Sequence, residues 1–311
     1  MAKYSLVIHG GSGTILKENL SAELEAAYLE GLHAALKAGF AELEKGNAAV
    51  NAVKAAVITL EDNILFNAGR GSVFTKKGKH EMDAAIMDGS SLAAGAVAAV
   101  SNIRNPVELA EIIMRKSNHV FLCGEGAAEF AKHMNVNTEP DDYFFSQFRY
   151  DQWSSVKDQD FTALDHDILL AENKFGTVGA VACDKSGHLA AATSTGGMTN
   201  KQFGRIGDSP LIGCGTYAND NTCAISCTGH GEPFIRAAAA YDVSCLMEYK
   251  GLSIIDAMNT VVHDKLIKIN GEGGMIGVDV KGTTAMIFNS AGMYRGFQDS
   301  EGALQVAIYR D

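Results

Sequence analysis

The sequence holds only four prolines and one tryptophan in 311 residues, and no CxxC pair among its six cysteines. So little proline leaves no room for a Pro-rich linker, whereas 33 glycines supply tight turns and close backbone approaches. Without a CxxC pair, Cys123, Cys183, Cys214, Cys223, Cys227 and Cys245 read as buried, reduced thiols. Positive charge is also in deficit. A formal net charge of −11 repels phosphate backbones and argues against a nucleic-acid partner. No uninterrupted apolar run reaches the roughly 18 residues of a membrane span, and the run in MAKYSLVIHGG is too short for a signal peptide. No membrane contact is expected, and the cytoplasm is the expected location.

Several motifs of known chemistry are missing as well. His9-Gly10-Gly11-Ser12-Gly13 lacks the GK[ST] that completes a phosphate loop, and no G-x-S-x-G nucleophile elbow occurs. His80-Glu81 lacks the second histidine of a zinc helix, and the nine histidines are scattered. No transition metal and no organic cofactor are therefore expected.

What is present, at 47% hydrophobic and 20% charged, is the composition of a globular protein with a sizeable core. Residues 3–8 read as a strand entering the glycine-rich loop. Leu32, Leu36, Phe40 and Leu43 recur at helical spacing, as do Val50, Val53, Val57 and Leu60. Strands are expected over 81–87 and 93–100, a helix from Asn105-Pro106 to about 116, a strand over 119–123 and a short helix ending near 134. Residues 136–176 are acidic, polar and irregular, a length of loop that is usually functional or disordered. Beyond it, strands are expected over 177–183, 189–195, 211–217 and 222–228, then helices over about 233–249 and 254–268, then short closing strands. Helices arrive in consecutive pairs rather than alternating with strands. That order predicts an α+β fold with largely antiparallel sheets and helical layers outside.

The stretch Lys174–Gly197, KFGTVGAVACDKSGHLAAATSTGG, sets a Gly-Thr pair between the polar segment and a buried strand. The turn Lys185-Ser186-Gly187 suits a three-residue hairpin loop with positive φ at Gly187. Centring the hairpin on Ser186 sets 183 opposite 189 and 177 opposite 195, with facing Cβ atoms about 4.5–5.5 Å apart. Thr177 then has two readings. It is an ordinary strand residue, or the chain is cut before it and its freed α-amine, with a reference pKa of about 7.7–8.0, activates its own hydroxyl. Gly176 suits the cut because, lacking Cβ, it lets the hydroxyl approach its carbonyl. Thr228-Gly229-His230-Gly231, at a strand-to-helix turn, reads as a plain glycine turn or as backbone donors for an oxyanion. Arg205 and Asp208, three residues apart in GRIGDSP, read as a surface pair or as clamps on an α-carboxylate and an α-ammonium.

Taken in order, HGGSG, LEDNILFNAGRGSVF, MDAAIMDG, GTVGAVA, TSTGGMTNK, GRIGDSP and TGHGE resemble the plant-type L-asparaginase / isoaspartyl peptidase family of N-terminal-nucleophile (Ntn) hydrolases. The resemblance spans residues 5 to about 297. It implies one four-layer αββα sandwich over 1–311, autocleaved into an α chain, 1–176, with a flexible tail from about 136, and a β chain, 177–311. Two αβ pairs are implied to form a dimer. It implies Thr177 as nucleophile, Thr195 as its hydrogen-bonding neighbour, and Thr228 with Gly229 as the oxyanion hole. It implies substrate contacts at Arg205, Asp208, Thr228, Gly229, His230, Gly231 and Asn67. It also implies a sodium loop built from the carbonyls of Leu60, Glu61, Asn63, Phe66, Ala68 and Arg70. The expected substrates are small molecules, β-aspartyl dipeptides and L-asparagine. Gly rather than Asp before the nucleophile argues against the related glycosylasparaginases. A threonine protease of the same superfamily and an uncut amino-acid-binding relative are the other readings.

Overall fold

The computed structural model describes residues 3–158 and 176–310. Strand β1 (Ser5–Gly13) is followed by helices α1 (Ala22–Glu44) and α2 (Ala49–Glu61), then by strands β2 (Met82–Asp88) and β3 (Ala94–Val100). Helix α3 (Pro106–Lys116), strand β4 (Phe121–Cys123) and helices α4 (Gly124–His133), α5 (Asp141–Phe144) and α6 (Gln147–Ser154) complete the stretch before residue 159. From residue 176 come strands β5 (Val178–Cys183), β6 (Leu189–Thr195), β7 (Thr216–Ala218) and β8 (Cys223–Gly229). Helices α7 (Gly231–Ala237), α8 (Ala239–Lys250) and α9 (Ile254–Asn259) follow, then strands β9 (Gly273–Asp279), β10 (Thr284–Phe288), β11 (Gly292–Asp299) and β12 (Leu304–Tyr309).

The strands form two sheets. One has eight strands in the order β12-β11-β1-β5-β6-β2-β3-β4, and the other has four in the order β10-β9-β8-β7. Every pairing is antiparallel except β3 with β4. The sheets face each other through β1, β5 and β6 on one side and β8 and β9 on the other. Helices α1, α2 and α3 cover the outer face of the larger sheet, and α8 and α9 that of the smaller, giving the expected αββα layering. Central strands with both faces covered favour small or apolar side chains over strict alternation, with buried hydroxyls where they find partners. This is why β5 and β6 read VGAVAC and LAAATST and are buried throughout.

The outer helices form around an apolar stripe, and α1 and α9 add a serine cap. Ser21 caps α1 by accepting a hydrogen bond from the Leu24 N–H, and Leu32, Leu36, Phe40 and Leu43 are buried against the sheet. Each such side chain, fully removed from water, contributes about 1.5–3 kcal/mol.

Some expectations need correction. The stretch from 136 is not irregular as far as residue 158. Helices α5 and α6 pack inward there, with Phe144, Arg149 and Val156 essentially fully buried. Arg149 Nε donates to the Gly71 carbonyl at 3.0 Å, which ties this segment to the loop after α2. Residues 159–175, including Phe175, lie outside the described residues. The expected strand over 211–217 shrinks to β7, because 211–215 is spent in turns. The helix expected over 233–249 breaks at Ala238, which takes a left-handed conformation (φ 46°). Cys123 is exposed rather than buried, and none of the six cysteines is bonded to another. Among the described residues, no helix is long and apolar enough to cross a membrane.

Candidate active site

The β5–β6 hairpin takes the register expected from its turn. Cys183 pairs with Leu189 and Val178 with Ser194, so one further step sets Thr177 opposite Thr195. Both threonines are buried. Thr195 Oγ1 accepts from the Gly197 N–H at 2.9 Å. Asn67 braces the same turn. Its Nδ2 donates to the Gly197 carbonyl at 2.8 Å, its Oδ1 accepts from Val73 N–H at 3.1 Å, and its own carbonyl accepts from Gly196 N–H at 3.0 Å. The Asn67 side chain is therefore engaged in holding the loop beside Thr195.

Strand β8 brings Thr228 to the Gly176–Thr177 junction from the second sheet. A Cβ on Gly176 would stand 2.9 Å from Thr228 Oγ1. Ser12 fixes Thr228 twice, donating its N–H to Oγ1 at 3.2 Å and its hydroxyl to the carbonyl at 3.1 Å. Gly11, at φ 116°, lies so close to the junction that a Cβ there would sit 2.6 Å from the Gly176 nitrogen. Only glycine permits that approach, so the HGGSG motif serves the junction and not a phosphate.

The GRIGDSP loop supplies the rest. Ser209 Oγ lies 3.3 Å from Thr177 Oγ1, so a hydroxyl that the sequence did not single out is the nucleophile candidate's hydrogen-bond neighbour. The preceding residue, Asp208, is buried, and its Oδ2 has no hydrogen-bond partner among the described residues. Burial pushes its carboxyl up to about 7, against the opposing pull of the Arg205 guanidinium. A cationic ligand would satisfy this oxygen.

Arg205 does not stand free. Its Nε and Nη2 fork onto the two oxygens of Glu232, each at 3.0 Å, and Glu232 also lies 3.1 Å from His230 Nε2. Burial pushes the Glu232 carboxyl up, but His230 and Arg205 together pull it well below the usual range. Gly231 separates the two clamps: a Cβ there would lie 2.9 Å from Asp208 Oδ1 and 3.1 Å from Arg205 Nη2. Arg205, Asp208, His230 and Gly231 therefore gather as expected, with Glu232 as an addition. Its position in the first turn of α7, straight after Gly-His-Gly, was the one available signal for it.

The loop after α2 folds back on itself. A Cβ on Gly69 would meet the Glu61 carbonyl oxygen at 2.5 Å, and one on Gly71 would overlap the Phe66 carbonyl oxygen. The carbonyls of Leu60, Asn63, Phe66 and Ala68 each accept one backbone N–H within the same loop. The Arg70 guanidinium lies over the Tyr143 ring, 5.3 Å from its centre, which leaves only the Arg70 backbone to the loop. No group of three or more His, Cys, Asp or Glu side chains suited to a metal occurs among the described residues.

Comparison with known proteins agrees with this geometry. A family model described as Asparaginase matches residues 2–308. The isoaspartyl peptidase of Escherichia coli (strain K12) is 48% identical over 313 residues, covering 100% of this chain and 98% of its own. The isoaspartyl peptidase of Salmonella typhimurium is 49% identical, with 100% of both chains covered. The isoaspartyl peptidase/L-asparaginase of Danio rerio is 41% identical, covering 93% of this chain and 90% of its own.

Proposed function

We infer the function from the premise that this chain belongs to the asparaginase family, whose model it matches over residues 2–308. It is a hydrolase of the isoaspartyl peptidase/L-asparaginase type, acting on isoaspartyl dipeptides and L-asparagine. One observation carries the catalytic reading: buried Thr177 sits beside the Ser209 hydroxyl, with Thr228 Oγ1 at the adjoining Gly176.

In this reading Thr177 Oγ first attacks the Gly176 carbonyl. The peptide C–N bond breaks, the nitrogen takes the hydroxyl proton, and an ester forms. Water hydrolyses the ester, leaving a carboxylate on Gly176 and a free α-amine on Thr177. That amine then serves as general base. Thr177 Oγ attacks the side-chain carbonyl of a β-aspartyl substrate, and the amine passes the proton to the leaving nitrogen. Water resolves the resulting ester to L-aspartate. The Thr228 hydroxyl and the Gly229 N–H stabilise the oxyanion of both steps. Thr195 supports the nucleophile from the paired strand. The α-carboxylate lies on the edge of Arg205 that Glu232 does not use, and the α-ammonium meets Asp208 and the Gly231 carbonyl.

A sodium ion in the loop after α2 belongs to the same proposal, held by the carbonyls of Leu60, Glu61, Asn63, Phe66, Ala68 and Arg70. The tight fold-back at Gly69 and Gly71 supports it, because it packs the carbonyls of Glu61 and Phe66 against the loop's own backbone, and carbonyl oxygens are hard ligands. Such an ion would hold the loop from which Asn67 reaches Gly197. A dimer of αβ pairs and a cytoplasmic location complete the proposal, the latter supported by six unbonded cysteines.

Mass spectrometry tests these points together. Under denaturing conditions two species are expected, 1–176 and 177–311. Under native conditions an assembly of twice 32.9 kDa with sodium retained is expected. A single species persisting after long incubation would remove the autocleavage step.

The raised Asp208 carboxyl predicts a pH dependence. Substrate ammonium needs the carboxylate form, so kcat/KM rises as pH passes upward through about 7, mainly through a falling KM. Asp208→Asn is expected to remove that limb and raise KM by about 10- to 100-fold, the loss of one charge-assisted hydrogen bond. Any remaining rise with pH then belongs to the Thr177 amine. A kcat/KM profile of the variant that still rises through the same midpoint, with KM unchanged, would remove the assignment.

A further inference from the structure

Among the buried titratable groups to which the catalytic reading gives no role, His9 lies nearest the nucleophile candidate. His9 is fully buried in β1, paired directly opposite Gly179 of β5. The register of β1 slips between His9 and Gly11, so the ladder with β5 ends at Gly179. In its place the His9 side chain reaches the next carbonyl, with Nδ1 2.9 Å from the Thr177 oxygen. A carbonyl only accepts, so Nδ1 carries the proton. Burial holds the imidazole neutral by lowering its pKa to about 3, which makes Nε2 an acceptor.

The rest of the chain follows from that assignment. Ser226 Oγ lies 2.9 Å from His9 Nε2 and must donate to it. Thr193 Oγ1, 2.7 Å from Ser226 Oγ, must then donate to Ser226, and Thr216 Oγ1, 2.6 Å from Thr193 Oγ1, to Thr193. That donation uses the one Thr216 proton, so the relay ends at Thr216; Ser209, whose carbonyl oxygen lies 3.0 Å from Thr216 Oγ1, approaches Thr177 Oγ1 separately through its hydroxyl at 3.3 Å. All of these side chains are buried. The relay draws on β1, β6, β7 and β8, begins at the Thr177 carbonyl just before β5 and ends at Thr216. It also accounts for the second glycine of Gly-Thr-Val-Gly: a Cβ on Gly179 would overlap both His9 Nε2 and Ser226 Oγ.

We propose that His9 is a positioning residue for the nucleophile, holding the Thr177 carbonyl through Nδ1 while the Ser226, Thr193 and Thr216 hydroxyls hold its ring through Nε2. The inference rests on Thr177 being the nucleophile. Once the Gly176–Thr177 bond is cut, Thr177 loses the peptide plane on its N-terminal side, and chain termini fray unless tied down. The remaining plane, through its carbonyl, sets where the amine and hydroxyl project. His9 fixes that plane without bringing a charge beside the base.

The test compares His9→Ala, His9→Asn and His9→Gln with the natural enzyme, measuring processing, kcat and KM on a β-aspartyl dipeptide. Asn places an amide near Nδ1, and Gln places one near Nε2. His9→Ala is expected to lose about 100-fold in kcat with KM within about twofold, as for a reacting group displaced by an ångström. His9→Asn is expected to recover most of that loss and His9→Gln little of it. Equal rescue by both, an unchanged kcat in His9→Ala, or a loss falling mainly on KM overturns the proposal. If His9→Ala does not fold, the ranking of Asn over Gln still decides. Ser226→Ala, which spares the Nδ1 bond, should then lose less than about tenfold in kcat. An uncut and inactive natural chain would instead remove the nucleophile assignment and this role with it, whereas a processed, active natural chain leaves the His9 variants to judge His9 alone.

Discussion

Thr177→Ala is expected to remain a single 32.9 kDa polypeptide and to release no aspartate from β-aspartyl dipeptides or L-asparagine. Removing a catalytic nucleophile costs on the order of 10⁶ in turnover, enough to push activity below detection. Two functions disappear at once, because the same hydroxyl attacks the Gly176 carbonyl and later the substrate. The fold should survive. The bond from His9 goes to the Thr177 backbone carbonyl, which alanine keeps, and the side chain lost is small. Thr177→Ser retains hydroxyl and amine and should be cut and active at a reduced level. Intact mass and an aspartate-release assay check both variants. A Thr177→Ala protein that is cut, or that turns over substrate, would end the mechanism.

Arg205→Ala carries the second large effect, and it separates binding from processing. The guanidinium is mostly buried and forked onto Glu232, and in the proposed binding mode its other edge takes the substrate carboxylate. Truncating one partner of a desolvated, hydrogen-bonded charge pair costs about 2–5 kcal/mol, roughly 30- to 5,000-fold in kcat/KM. The variant also leaves Glu232 with His230 alone, so part of the loss reflects the uncompensated carboxylate. Autocleavage should proceed at the natural rate, since the contacts at Gly176 come from Gly11 and Thr228. Steady-state kinetics on a β-aspartyl dipeptide, with intact mass on the same preparation, tests both parts. An unchanged kcat/KM removes the clamp, and an uncut variant would tie Arg205 to maturation instead.

The parts of this site that were legible in the sequence are those set by local rules. The Asp-Lys-Ser-Gly turn determines the hairpin register, and the register alone sets Thr177 opposite Thr195. Periodicity located α2, and Asn105-Pro106 the start of α3, to within a few residues, whereas α1 begins at Ala22, about two turns before the apolar stripe read from Leu29. The parts that were not legible depend on contacts between distant segments. His9 looked like a fragment of a failed phosphate loop until β1 was seen to lie beside β5. Ser226 and Thr216 are unremarked hydroxyls in apolar strands until the two sheets face each other. Residues 141–158 are polar enough to suggest a loose tail, yet Arg149 folds inward onto the carbonyls of Gly71 and Leu65. Residues 260–266 continue α9 with a π-helical turn, which no propensity pattern in 254–268 indicated.

If the chain is cut at Gly176–Thr177 as proposed, the strand order of the larger sheet has a consequence. Strand β1 lies between β11 and β5, and β2 lies against β6, so segments from either side of the cut alternate across one sheet. Before cleavage this is an intramolecular arrangement, and the covalent link keeps each partner within reach of the other. After cleavage, unfolding releases two polypeptides instead of one. The equilibrium then depends on concentration, and dilution alone lowers the melting temperature. Reassembly becomes a second-order encounter between strands that must interleave. Cleavage as proposed would thus turn a self-contained fold into a complex whose persistence rests on how slowly its halves separate.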